Sequence, residues 1–505
     1  MNLADRIRAV LALDPAAGAI EFEGRWHSFG ELRAIAEALE RALGAAGIGD
    51  EAPVGCLLRN HPALIGAALG LLAAQRCIAT LNPHQGDAVL GGEIEALRLP
   101  AVVGWRDEWQ RPALVAAARA AGSLGLELTG DAGAPLRAVP GLERRGPGPS
   151  RGPLPGVAIE MLTSGTTGPP KRIPLLRAAL EQSIAAALHY EGRAADEPLR
   201  LRSGVALLNA PLVHVAGIWR ALLNLAEGRR IALLERFALA PWLELVARHE
   251  PRTASLVPAA IQMLLEADVD PRALASLAAV VSGTAPLPLA QQEAFQEKYG
   301  IPVLTTYGAT EFAGGVAGWT LPLHREWFAR KRGSVGRAHP GCELRIVDRE
   351  TGAPLGRDRV GLLEVRSAQL GDASRWLRTT DLAEIDADDF LWIRGRADDA
   401  ILRGGFKLLP GELAAVLERH PAVREACVVG LPDERLGQIP VAAVELRADA
   451  PAVSEAALVD FAREHLARYQ VPARVLVVAA LPRTPSLKVS RPGVAALFAR
   501  EQRPG

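Results

Sequence analysis

No stretch of this chain stays apolar long enough to cross a bilayer. The longest apolar run, near Ala63 to Ala74, is about a dozen residues, where a spanning helix takes about 20. It reads as a buried helix with Pro62 at its start, where a missing N–H costs little. Cysteine is scarce: Cys56, Cys77, Cys342 and Cys427 lie far apart in the chain. No disulfide framework or metal-ligand pair is visible, which fits a reducing cytoplasm. Each thiol reads as a small buried hydrophobe. An excess of one charge is also missing, since 57 basic residues face 57 acidic ones. That argues against a broad nucleic-acid or anionic-membrane surface and leaves room for a small basic pocket. The N-terminus, Met1-Asn2-Leu3-Ala4-Asp5-Arg6, lacks the charged-then-apolar layout of a signal peptide. Internal repeats and low-complexity tracts are absent.

What is present is a globular composition, 49% apolar and 23% charged over 505 residues. That length exceeds one ordinary core, so two or more domains are expected. From Glu31 to Gly47, Leu32, Ile35, Ala36, Leu39 and Leu43 recur at helical spacing on one face. Short apolar runs, Val54 to Leu58, Val102 to Gly104, Gly204 to Leu208, Arg230 to Leu234 and Ala278 to Val281, alternate with helical stretches. Such alternation predicts α/β layers with largely parallel sheets. Gly141 to Gly156 reads as a loop. After Gly333 the texture changes. Leu344 to Val347 and Gly361 to Val365, separated by turn residues, predict antiparallel strands. Beyond Asp398 a compact α+β region is expected, with helices at Gly411–Leu417 and Ser454–Tyr469 and strands at Glu425–Gly430 and Val441–Leu446.

The densest chemistry lies at Thr163-Ser164-Gly165-Thr166-Thr167-Gly168-Pro169-Pro170-Lys171, after the apolar run Val157 to Leu162. Glycines let backbone N–H groups approach an anion, hydroxyls add donors and Lys171 adds a charge. The Walker A spacing is absent. Further on come Tyr307-Gly308-Ala309-Thr310-Glu311, Trp376-Leu377-Arg378-Thr379-Thr380-Asp381, Gly395-Arg396-Ala397-Asp398-Asp399, Arg403-Gly404-Gly405-Phe406-Lys407 and Pro482-Arg483-Thr484-Pro485-Ser486-Leu487-Lys488. Taken singly, each could be a loop, cap or surface residue. In this order they resemble the adenylate-forming, AMP-binding superfamily, in its acid–CoA ligase branch. Weaker matches at Phe29-Gly30-Glu31-Leu32 and Thr80-Leu81-Asn82-Pro83 extend the resemblance over nearly the whole chain.

The resemblance implies a large N-terminal domain, 1–397, of two doubly wound α/β sheets plus a β-rich subdomain. A small mobile α+β cap, 398–505, would follow, with its hinge at Asp398. It implies that a carboxylic acid is joined to AMP with loss of pyrophosphate and then passed to CoA. Thr163, Ser164, Gly165, Thr166, Thr167, Gly168 and Lys171 would hold phosphate, with Gly283, Thr284, Ala285, Tyr307, Gly308, Thr310, Asp381 and Arg396 around the rest of ATP. Glu311 would hold Mg²⁺. Lys488, with Glu311 and Thr166, would serve catalysis, because the reaction gathers negative charge on phosphate oxygens. Arg403, Gly404 and Gly405 would face CoA. A cytoplasmic enzyme is expected, with a homodimer left open.

For the acid pocket the resemblance points to His214, Val215, Ala216 and Gly217, with Phe312, Ala313 and Gly314 as a further candidate wall. Amino-acid-activating relatives carry an aspartate just past His214, which pairs with the substrate ammonium. Here no carboxylate stands there, and an unpaired buried ammonium is costly. An apolar acid is therefore expected in a roomy pocket, although the small residues could equally serve close packing. The chain departs from the family pattern at Leu487 and Thr380, where glycines are usual, and in the short stretch Gln369 to Arg375. Leu487 and Thr380 keep open a weakly catalytic binding or regulatory relative; a ligase that loads a carrier protein instead of CoA is the other alternative.

Overall fold

The computed structural model describes residues 2–162, 171–190, 198–404, 406–448, 450–484 and 487–501. They form two compact units. The first draws on the residues up to Glu343 together with Arg366–Trp376, the second on Leu344–Val365 and the residues from Leu377 on.

A seven-stranded sheet anchors the first unit. Its order is Leu136–Ala138, Leu124–Leu128, Ala101–Trp105, Pro53–Leu57, Cys77–Leu81, Val157–Leu162 and Arg172–Leu176. The five inner strands are parallel and the two edge pairings antiparallel. Buried on both faces, the inner strands read as continuous apolar runs. Thr80, Glu127 and Glu160 are the polar exceptions; Glu160, buried in Val157–Leu162, is held by the two terminal guanidinium nitrogens of Arg151 at 2.7 and 2.6 Å, with Arg172 at 3.4 Å. This arginine pair fixes the strand that leads toward residue 163.

Two further sheets complete the unit. In one, Gly18–Phe22 inserts beside Arg230–Leu233, which pairs in parallel with Val205–Leu208. In the other, Thr253–Ser255, Ala279–Ser282 and Val303–Ala309 run parallel, followed by antiparallel Gly314–Gly318 and Arg337–Ala338. The first expected helix spans Phe29–Ala45. It begins two residues early because Ser28 and Glu31 close a capping box, the Glu31 N–H donating to Ser28 Oγ and the Ser28 N–H to Glu31 Oε2. That capping box accounts for the segment Phe29-Gly30-Glu31-Leu32.

The second unit holds an antiparallel sheet of Cys342–Val347, Gly361–Ser367, Leu377–Ile385 and Leu391–Arg396. It also holds the sheet Phe406–Leu408, Ile401–Arg403, Gly437–Leu446 and Val423–Asp433, with Arg474–Val478 alongside Gly437–Leu446. Helices Pro410–Leu417, Glu455–His465 and Arg491–Glu501 accompany it. The helix expected to reach Tyr469 stops at His465, because Leu466 is extended at φ −125° and ψ 150°. Among the described residues no helix is long and apolar enough to cross a membrane, and all four cysteines are buried and free.

Helix Pro62–Ala73 is buried at every position and lies against Phe29–Ala45. A side chain at Gly70 would begin 2.7 Å from the Ala36 Cα. Two effects then compete at this site. Gly→Ala gains about 1 kcal/mol of helix propensity, while overpacking a core costs about 1–3 kcal/mol. Backbone cannot yield as a flexible side chain can, so Gly70→Ala is expected to lower the denaturant midpoint. An unchanged or raised midpoint would refute this packing account.

Candidate active site

In the first unit, the expected site residues gather at the carboxyl ends of parallel strands, where open α/β sheets bind ligands. Tyr307, Gly308 and Ala309 end the strand Val303–Ala309, and Thr310–Phe312 form a short turn. Ala313 then takes φ +54° and Gly314 φ +151°, and the chain returns antiparallel. Phe312 is buried with its ring 6.0 Å from that of Tyr307, while Glu311 is exposed. Gly283 follows the neighbouring strand, and a side chain there would begin 2.7 Å from Thr306 Cγ2. The segment Gly283-Thr284-Ala285 therefore lies beside Tyr307, with Thr284 exposed at φ +69°. The segment 163–170 lies outside the described residues, and Lys171, just past it, is exposed.

The expected acid-pocket segments meet. His214 precedes helix Val215–Ala226. The loop before it is set by Asn60, which donates to the Ala210 and Leu234 carbonyls at 3.1 and 2.9 Å and accepts the Leu212 N–H at 2.8 Å. On the helix, Trp219 donates through Nε1 to Ser183 Oγ at 3.0 Å. A side chain at Gly314 would begin 2.6 Å from that same oxygen and 3.7 Å from Trp219 Nε1. Helix Val215–Ala226, helix Arg177–Tyr190 and the 312–314 turn thus share one wall. Buried Gln369 adds a clamp, donating to the Phe312 and Gly315 carbonyls at 2.9 and 3.2 Å. His339 sits under the hairpin, where burial pushes its imidazole down to about 4. Sequence reasoning missed Asn60, Gln369, Ser183, Trp219 and His339. Each acts on residues distant in the chain, and only Asn60, a lone amide ahead of His61-Pro62, hints at a loop anchor.

In the second unit, Asp381 lies opposite Arg396 in neighbouring strands. Arg396 donates to Thr380 Oγ1 at 2.7 Å and to the two Asp398 oxygens at 3.0 and 2.8 Å, with Asp381 at 3.9 Å. Thr380 therefore supplies a hydroxyl that steers Arg396, which glycine could not. Asp399 pairs with Arg491 of the last helix. Arg403 spends its guanidinium on the Tyr469 and Val471 carbonyls at 2.8 and 3.1 Å, and Gly404 takes φ +55°. Gly405 lies outside the described residues. Near the C-terminus, the Thr484 N–H donates to the Lys488 carbonyl at 2.8 Å and the Leu487 N–H to the Thr484 carbonyl at 2.9 Å. Arg483 holds the Leu487 carbonyl at 3.0 Å and pairs with Glu425. Burial lowers the Lys488 pKa below its ordinary value.

Leu487 itself adopts φ +63°, the left-handed conformation that costs a residue with a Cβ about 1–2 kcal/mol. The departure from glycine at this position is thus paired with a backbone that suits glycine. Leu487→Gly relieves the strain but frees the unfolded chain, which offsets about 0.5–1 kcal/mol. The net expectation is a stability gain of up to about 1 kcal/mol, read from urea unfolding. A loss larger than that would mean that Leu487 contributes packing which outweighs its strain.

Residues 8–372 match the AMP-binding enzyme family, and residues 412–488 the AMP-binding enzyme C-terminal domain. The chain is 30% identical to 4-coumarate–CoA ligase 5 of Oryza sativa subsp. japonica, over 99% of this chain and 93% of that one. It is 32% identical to the sulfoacetate–CoA ligase of Cupriavidus necator, over 92% of this chain and 91% of that one. Among solved structures, the amide bond synthetase McbA from Marinactinospora thermotolerans matches with a TM-score of 0.77 at 28% identity, covering 98% of this chain and 100% of its own. The motifs follow the family's order and the relatives align almost end to end: the chain belongs to the AMP-binding enzyme family.

Proposed function

We propose that this chain is an ATP-dependent acid–CoA ligase. One observation carries the reading: the loops of Gly283 and Tyr307 lie side by side at strand carboxyl ends, with the turn after Glu311 against the helix that follows His214. Nucleotide and acid segments are thus adjacent within one unit, as a reaction joining the two requires. CoA ligases among the relatives support CoA as the acceptor. In the first step a carboxylate oxygen bonds to the α-phosphorus of ATP, and the bond to the bridging oxygen breaks as pyrophosphate leaves. In the second, the CoA thiol loses its proton and attacks the acyl carbon, and AMP departs with the bonding electrons.

In this reading Tyr307 stacks on adenine, Asp381 accepts hydrogen bonds from the ribose hydroxyls, and Lys171 with residues 163–168 faces the phosphates. Glu311 fits a magnesium ion. It is exposed and forms no ion pair among the described residues, and Mg²⁺ completes its shell with water and phosphate oxygens around one or two carboxylates. No group of three ligating side chains among the described residues could hold a metal without such help. When bound, the ion would shield phosphate charge. Lys488 supplies the cation at the α-phosphate. It must later leave so that the thiol can reach the acyl carbon, which makes the region from Asp398 a moving cap. The Arg396–Asp398 pair is positioned to break and reform at that hinge. Four buried free thiols suit the cytoplasm proposed for this enzyme.

Lys488→Ala is expected to slow acyl-AMP formation by roughly 10²–10³, the loss for one transition-state donor. Thioester formation from supplied acyl-AMP should fall far less. Equal loss in both half-reactions, with folding intact, would remove Lys488 from this role.

The lowered pKa of Lys488 gives a pH signature. Its charged form is required and is lost as pH rises through a pKa below the ordinary lysine value. Adenylation should therefore decline on the alkaline side before an ordinary lysine titrates, and Lys488→Arg should move that limb upward. A limb that the arginine variant leaves in place belongs to another group.

Val215, Ala216 and Gly217 offer no carboxylate to an ammonium. Pyrophosphate exchange should appear with carboxylic acids lacking an amine and be absent with free amino acids. Exchange with any free amino acid at comparable rate would overturn this part of the reading.

A further inference from the structure

Arg220 lies on the pocket helix and was absorbed by none of the motifs. Each residue of an α-helix turns about 100°, which puts Trp219, Leu223, Ala216 and Arg220 on one continuous arc of about 100°. All four are partly buried, as are Val215 and Asn224 flanking the arc, whereas Gly217, Ile218, Ala221, Leu222, Leu225 and Ala226 on the remaining face are fully buried. Trp219 fixes where that arc looks, because its indole N–H binds Ser183 Oγ beside Gly314. Arg220 is therefore a long cation on the face directed at the acid-pocket wall. Its surroundings strip it of water enough to lower its pKa, yet its guanidinium has no hydrogen bond or ion pair among the described residues. Other sequestered arginines are matched: Arg76 holds the Ile48 carbonyl and Glu40, Arg172 holds Glu93, and Arg6 holds Glu227. A desolvated charge with no partner is costly, and a planar guanidinium is shaped to take both oxygens of a carboxylate or sulfonate.

We propose that Arg220 binds a second anionic group at the far end of the acid, so that the substrate is a carboxylic acid with a carboxylate or sulfonate tail on an apolar body. The inference rests on the ligase reading and assigns the substrate class of the same pocket. The reacting carboxylate goes to AMP, and the tail anion stays unreacted on Arg220.

The test measures pyrophosphate release with straight-chain diacids and ω-sulfo acids of increasing length, each against the monoacid of equal carbon count. The best dianionic probe should exceed its monoacid partner in kcat/KM by roughly 10–10²-fold, the span for one charged hydrogen-bonded pair. Arg220→Gln should collapse that ratio, mainly through KM, and Arg220→Lys should retain part of it. As a second readout, the same dianionic probe with AMP should raise the melting temperature of the wild type and of Arg220→Lys more than that of Arg220→Gln. If Arg220→Gln does not fold, Arg220→Lys against wild type carries the comparison. Monoacids preferred at every length, or a ratio untouched by both variants, would overturn the proposal while leaving the ligase reading intact. No pyrophosphate release with any acid would overturn both.

Discussion

A carbonyl oxygen of Pro211 lies 2.1 Å from where a side chain at Gly217 would begin, and the Gly314 carbonyl lies 2.4 Å from the same point at Gly308. The site in the first unit depends on these main-chain contacts. They let the helix after His214 start directly on its own loop, and they let the Tyr307 strand fold back on itself. Neither contact can relax as a side chain can. The small residues here, which suggest room when read in sequence, mark places where the backbone already fills the space. The side chains that do project from this framework, Glu311, Trp219 and Arg220 among them, are the candidates for contact with a ligand.

Charge follows a consistent rule through the molecule. Glu160, deep in the central sheet, is held on both sides by Arg151 and Arg172, and Arg396 is shared between Thr380 and Asp398. Burial without such partners costs several kcal/mol per ion. Among the described residues two cations stand apart, Arg220 in the first unit and Lys488 in the second, and burial lowers the pKa of both. In the proposed reaction Lys488 would meet a phosphate oxygen and Arg220 a substrate tail.

The departures from the family pattern also acquire physical content. Thr380 replaces glycine and contributes the hydroxyl that holds Arg396. Leu487 replaces glycine and accepts a left-handed backbone, so the position keeps its conformation under strain rather than losing it. Both substitutions leave the charged groups in place, which is consistent with a working ligase rather than a binding relative.

By itself the sequence determined the alternation of strands and helices, the buried helix after Pro62, the order of the motifs and the absence of an acid beside His214. These are local patterns: side-chain periodicity, turn chemistry and short spacings that neighbouring residues impose on one another. Boundaries were less legible. The helix from Glu31 starts at Phe29 because a capping box reaches back, and the helix begun at Ser454 ends at His465 because Leu466 leaves helical geometry. Only the tertiary structure decided that Gly18–Phe22 joins strands some two hundred residues away, that Asn60 and Gln369 anchor the site loops, and that Arg220 finds no partner among the described residues. Pairing and desolvation are properties of what surrounds a group, and the surroundings of Arg220 come from segments far from it in the chain.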